Sequence, residues 1–122
     1  MERRSLLILE DDATLRKHLC RLFTRRGFDV QAVSTVADFL EPALNIPFHA
    51  LLMDFSLPDG DGLQAWAQAR DVQSGAVAVL ITAHGTEEIA NRAEELGIQA
   101  LLHKPLDVPR LLSALGVAAV EA

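Results

Sequence analysis

The chain has 122 residues, half of them hydrophobic, with 17 acidic side chains against 11 basic ones and a net charge of −6. That length suits one domain, and it lets roughly two-thirds of the unfolded surface be buried without staples. A single cysteine excludes a disulfide-held scaffold, the acidic balance argues against non-specific nucleic-acid binding, and no apolar run approaches the ~18 residues of a membrane span.

The opening Met1-Glu2-Arg3-Arg4 is basic, but the apolar run Leu6–Leu9 is too short for a signal peptide and ends in acids. A soluble cytoplasmic domain is expected. Leu6-Leu7-Ile8-Leu9 is continuous rather than alternating, which is the pattern of a strand buried on both faces of a parallel sheet. It stops at Glu10-Asp11-Asp12. A helix follows, with Asp12 as N-cap and Leu15, Leu19, Leu22 and Phe23 on its apolar face. Cys20 lies beside that stripe and reads as a small buried hydrophobe. Arg25-Arg26-Gly27 closes the helix.

Phe28–Val33 reads as a second strand and Thr35–Leu44 as a short helix interrupted by Pro42. Ala50–Met53 is a third strand that ends at Asp54. Pro58-Asp59-Gly60 is a turn in which Pro presets φ and Asp bonds its own backbone. Asp61 with Gln64 resembles a capping box, and Leu63, Trp66 and Ala67 form the apolar face of the next helix. Val77–Ile81 is a fourth strand, ending at Thr82. Thr86 caps a helix with Glu87 and Glu88 in its first turn, and Gly97 ends it. Ile98–Leu102 is a fifth strand, followed by His103-Lys104-Pro105. Asp107 caps a last helix with Pro109 in its first turn and Leu111, Leu112, Leu115 and Ala118 as apolar positions.

Five strand–helix units require parallel strands with right-handed crossovers. They fit an α/β fold, a doubly wound five-stranded parallel sheet of (βα)5 flavodoxin-like type with strand order 2-1-3-4-5, and are too few for an eight-unit barrel. In that order Glu10, Asp11, Asp54, Thr82 and Lys104 all follow the carboxyl ends of strands and face one edge, with strands one and three adjacent at the switch point. Two carboxylates ~5 Å apart repel by roughly 3 kcal/mol at an effective dielectric near 20. Lys104 offsets part of that repulsion and a divalent cation would offset more. The donors are hard oxygens without cysteine or clustered histidine, which favours Mg²⁺ over Zn²⁺. His18, His49 and His103 are scattered.

With Leu-Ile-Leu-Glu-Asp-Asp at 7–12, Met-Asp-Phe-Ser-Leu-Pro-Asp-Gly-Asp-Gly at 53–62, Ile-Thr-Ala at 81–83 and Lys104-Pro105, the sequence resembles the receiver domains of bacterial two-component response regulators, of the chemotaxis-regulator type. The resemblance covers essentially the whole chain and implies a single receiver domain, 1–122. It makes Asp54 the phosphoacceptor and matches Glu10 and Asp11 to the acidic pair that holds Mg²⁺ (or Mn²⁺), Asp11 directly and Glu10 through water. The backbone carbonyl of Ser56 completes the ligands. Thr82 and Lys104 would bond phosphoryl oxygens, and the Lys104–Pro105 peptide is expected to be cis. The implied donor is a sensor histidine kinase or a histidine phosphotransfer protein. Also expected are an unidentified effector, a homodimer on activation for which the apolar positions of the last helix offer a surface, and, from charge and hydropathy, neither nucleic-acid nor membrane binding by this domain. It would be a signalling domain, assisting its own phosphotransfer and dephosphorylation, rather than an enzyme.

Two positions depart from the family pattern. Leu101 stands where an aromatic often couples to the threonine, so output would travel through Ala83-His84-Gly85 and the following helix. His84 either overhangs the acyl phosphate and alters its lifetime, or is a solvated loop residue. Three other functions compete. A haloacid dehalogenase-type phosphatase would need an Asp at Ser56. A degenerate receiver that binds partners without phosphorylation draws support from Leu101 alone. A nucleotide-binding module would need a Gly-rich loop after the first strand.

Overall fold

A computed structural model describes residues 4–117. The elements are β1 (Ser5–Leu9), α1 (Ala13–Arg25), β2 (Asp29–Val33), α2 (Val36–Ala43), β3 (Ala50–Asp54), the two-residue strands β4 (Ser56–Leu57) and β5 (Gly60–Asp61), α3 (Gly62–Ala69), β6 (Val77–Thr82), α4 (Glu87–Glu95), β7 (Ala100–His103) and α5 (Val108–Ala114). The main sheet has the order β2-β1-β3-β6-β7 and every pairing in it is parallel. This is the 2-1-3-4-5 order expected from the sequence, once β4 and β5, which pair antiparallel as a small hairpin, are set aside.

The continuous apolar runs build the three central strands because both of their faces are covered. Leu6 to Leu9 and Leu51 to Met53 are fully buried, as are Ala78 to Ile81. Alternate side chains go to opposite layers. Leu7, Leu9, Leu51, Met53 and Leu80 pack with Phe39 of α2, Trp66 of α3 and Ala93 of α4. Leu6, Ile8, Leu52, Val79 and Ile81 pack with Leu19 and Phe23 of α1 and Leu111, Leu112 and Leu115 of α5. The sheet is therefore wound on both faces. Each helix starts on a capping oxygen. Asp12, Thr35, Asp61, Thr86 and Asp107 accept backbone N–H groups of α1 to α5 in turn.

Several local expectations change. The second strand begins at Asp29 because Phe28 turns into the core and meets Phe23 edge-on, with ring centroids 5.5 Å apart. The fifth sheet strand begins at Ala100, since the Ile98 N–H closes α4 on Ala93 O at 3.0 Å. Ala67 is exposed; Ala65 and Ala69 join Leu63 and Trp66 in the buried set. Pro42 sits one residue before the end of α2, so the missing N–H costs the helix little of its length. Asp61 Oδ1 accepts from the Gln64 N–H at 2.8 Å, which is the first half of a capping box. Cys20 is half-buried against the α1 layer, and burial pushes its thiol up. Ala118 lies outside the described residues. Among the described residues, no helix is long and apolar enough to cross a membrane.

Asp59 does not spend its carboxylate on its own turn alone. Its two oxygens accept the N–H groups of Val36 at 2.8 Å and Ala37 at 3.1 Å, at the start of α2. Those donors hold the exposed Asp59 carboxyl below the usual carboxylate range. The β4–β5 tip is thus tied to one helix through Asp59 and to another through Asp61.

One buried polar side chain links the α3 end to the α2–β3 connection. Gln73, 1% exposed, accepts from the Phe48 N–H at 2.8 Å and donates to Ala43 O at 2.8 Å and Ile46 O at 2.6 Å. Replacing it by alanine strands two buried backbone groups and a third that is part-buried. Urea unfolding of Gln73→Ala is expected to show a loss of about 3 kcal/mol. A loss within about 0.5 kcal/mol, the typical surface range, would contradict this account.

Candidate functional site

The register of the sheet sets the site. Leu9 pairs with Met53, Asp54 with Ile81 and Thr82 with His103. The first polar residues beyond the apolar runs therefore reach the same edge together. Backbone bonds extend the ladder one step further: Glu10 N–H to Val33 O at 3.0 Å, Phe55 N–H to Ile81 O at 2.8 Å and Lys104 N–H to Thr82 O at 2.9 Å.

Three carboxylates meet there. One oxygen from each of Glu10, Asp11 and Asp54 lies within 4.8 Å of the other two. Glu10 is fully buried and Asp54 is 4% exposed, whereas Asp11 faces solvent. Lys104 spans the buried pair, with Nζ 2.8 Å from Asp54 Oδ2 and 3.0 Å from Glu10 Oε1. The contact to Asp54 is also a hydrogen bond. The contact to Glu10 is an ion pair in which no donor is aligned on Oε1. Glu10 Oε2 accepts the Asp12 N–H at 3.0 Å, and Asp54 Oδ1 accepts the Ser56 N–H at 3.3 Å. The Lys104–Pro105 peptide bond is cis.

The surrounding backbone is held by contacts that the spacing of motifs does not reveal. Arg16, one turn into α1, donates from Nη1 to Glu10 O at 2.9 Å and Asp11 O at 3.4 Å. It fixes the backbone that presents both acids. Gly62 returns the hairpin to β3: a Cβ there would overlap the Asp54 carbonyl oxygen and stand 3.1 Å from Leu80 Cδ1. Only glycine allows so close an approach. Thr82 is buried, and its Oγ1 accepts the His84 N–H at 3.2 Å, leaving the hydroxyl hydrogen free to donate. His84 itself is exposed, as is Ser56; Leu101 is half-buried.

Burial is the largest influence on Glu10 and raises its pKa. The Asp12 N–H and Lys104 favour its charged form, Asp54 opposes it, and the net position is pushed up to about 7. Burial works against the Lys104 charge too, but the carboxylates of Asp54 and Glu10 outweigh it and raise its pKa. The set fits a hard divalent cation on chemical grounds: all donors are oxygens, and one buried carboxylate oxygen lacks an aligned donor.

The Glu10 shift gives a pH dependence. Between about 4.5 and 7 the folded metal-free protein keeps a proton that the unfolded chain releases. Its stability contribution is complete below that window and is lost as pH rises through it, on the order of 3 kcal/mol for a shift of this size. Thermal unfolding of metal-free protein across this range is expected to show that decline, and Glu10→Gln should flatten it. Parallel curves for the two proteins would rule Glu10 out as the source.

Comparison with known proteins places the chain. The response regulator receiver domain model matches residues 6–116. The swarming motility regulation protein RssB of Serratia marcescens is 33% identical over 109 residues, which are 89% of this chain and 50% of that protein. The acid tolerance regulatory protein ActR of Rhizobium meliloti is 32% identical, over 92% of this chain and 58% of its own length. The chain thus spans about half the length of these curated relatives. A crystal structure of a response regulator protein from Burkholderia pseudomallei, with a phosphorylated aspartic acid, calcium ion and citrate, superposes with a TM-score of 0.86 at 27% identity, over 92% of this chain and 66% of that one. A receiver domain protein from Methanospirillum hungatei has the same fold, with a TM-score of 0.89 at 23% identity. The chain belongs to the response regulator receiver domain family of two-component signalling proteins.

Proposed function

We propose that Asp54 is the phosphoacceptor of a phosphorelay, and that Glu10, Asp11, Asp54 and the Ser56 carbonyl hold Mg²⁺ beside it. The observation that carries this reading is the Lys104 ammonium seated between Glu10 and Asp54 at the edge where the third carboxylate also arrives. A phosphorylated aspartic acid and a calcium ion in the Burkholderia pseudomallei relative support it.

Phosphoryl transfer asks the protein chiefly for position and charge. An Asp54 carboxylate oxygen attacks phosphorus as the P–N bond of a phosphohistidine breaks, and the leaving imidazole keeps the bonding electron pair. The donor histidine belongs to a sensor kinase or a phosphotransfer protein. Lys104 moves from the carboxylates to a phosphoryl oxygen. The free hydroxyl hydrogen of Thr82 donates to another. When bound, the cation neutralises charge on the phosphoryl oxygens. Water then hydrolyses the acyl phosphate and returns the switch. His84, two residues beyond Thr82 on the exposed loop, overhangs the acyl phosphate and changes its lifetime. The phosphorylated domain alters its contacts with a kinase or an effector.

Incubation with Mg²⁺ and acetyl phosphate, followed by intact-mass analysis, is expected to show one phosphoryl adduct that is absent from Asp54→Asn. No adduct on the wild type would favour a receiver that binds partners without phosphorylation. His84→Ala should change the half-life of the adduct several-fold, measured by loss of the added mass. An unchanged half-life would return His84 to the role of a solvated loop residue.

A further inference from the structure

The proposed chemistry leaves the imidazole of His103 at this edge unused. His103 ends β7 and is the register partner of Thr82. It shares a face of the sheet with Leu101, two residues earlier. Its ring lies against the loop after β6. A Cβ at Gly85 would overlap His103 Nε2, stand 2.9 Å from His103 Cδ2 and 3.2 Å from Thr82 Cγ2. The imidazole and the Thr82 methyl therefore both crowd the space that a side chain at Gly85 would occupy. The loop has little slack, because the His84 N–H is already bonded to Thr82 Oγ1 and Thr86 begins α4.

We propose that His103 is the positioning residue for Thr82: its imidazole braces Gly85, and the turn of Thr82 toward a phosphoryl oxygen displaces the ring. The proposal rests on the phosphoacceptor reading. Thr82 is 2% exposed and packed in the sheet, whereas His103 is an exposed residue at the end of the edge strand. A small rotation of Thr82 carries His84 and then Gly85 with it. The side chain with freedom to respond is His103. It also borders a cavity of ≈160 Å³, lined by Leu101, Leu102, Pro105, Asp107 and Arg110, which gives the ring somewhere to go. The state of Asp54 would then be written on the exposed edge of β7 through a histidine, with Leu101 taking no part. Coupling of this kind is reciprocal: what displaces the ring must in turn be eased or hindered by it.

The test uses Mg²⁺ and beryllofluoride with NMR. The imidazole signals of His103, assigned by their absence in His103→Ala, should move during the titration with the same midpoint as the amides around Asp54. His103→Ala should bind beryllofluoride with a midpoint changed several-fold. Stationary ring signals while those amides shift, or an unchanged midpoint in the variant, would overturn the proposal. If no signal responds, the phosphoacceptor reading falls and this one falls with it. The brace is measured separately. Gly85→Ala should lower Tm in the wild type and much less in His103→Ala, and equal losses in both backgrounds would show that the ring does not brace the loop.

Discussion

Everything at the functional edge depends on one ammonium group. Lys104 stands 2.8 Å from Asp54 and 3.0 Å from Glu10. Two unit charges ~5 Å apart repel by roughly 3 kcal/mol at an effective dielectric near 20, and a third carboxylate, Asp11, adds to the strain. Without a cation between them, one of the buried pair would hold its proton to a higher pH. Even with Lys104 in place, burial keeps Glu10 partly protonated near neutral pH. The fold tolerates this cluster because the lysine arrives from β7, an edge strand whose backbone bonds to Thr82 deliver Lys104 at the level of the acids. Parallel pairing of four separate strand ends, β1, β3, β6 and β7, is what converts distant residues into one site.

On the proposed phosphoacceptor reading, the same arrangement poises the site for exchange. Lys104 is a point charge on a flexible stem, so it can leave a carboxylate for a phosphoryl oxygen without a change of backbone. Thr82 keeps a free hydroxyl hydrogen while its oxygen is held by His84 N–H. The groups that must not move are tied down more firmly. Arg16 holds the Glu10 and Asp11 carbonyls, Asp59 and Asp61 stake the hairpin to two helices, and Gly62 presses its return against β3.

Much of this was legible in the sequence, and the reason is local. Leu6–Leu9 and Ala50–Met53 read as buried strands because they are continuous, and Asp12, Thr86 and Asp107 read as caps because a short polar acceptor precedes each apolar stripe. Strand order then placed Glu10, Asp11, Asp54, Thr82 and Lys104 at one edge. What escaped depended on contacts between elements far apart in the chain. Pro58-Asp59-Gly60 announces a turn but not that the Asp59 carboxylate crosses to α2. Ala67 fits the helical stripe, yet the way α3 lies on the sheet buries Ala65 and Ala69 instead. His103 looked like a scattered histidine; only the β6–β7 register and the missing Cβ of Gly85 bring it to the Thr82 loop.

The central claim is that the Lys104-bridged carboxylates form a cation and phosphoryl site. A crystal structure of the protein grown with Mg²⁺ and beryllofluoride tests it most directly. The account predicts a cation bounded by Glu10, Asp11, Asp54 and the Ser56 carbonyl, a beryllofluoride group on Asp54, and Lys104 Nζ withdrawn from Asp54 Oδ2 to a fluorine. An unmodified Asp54 still paired with Lys104, with no cation among the three carboxylates, would contradict it.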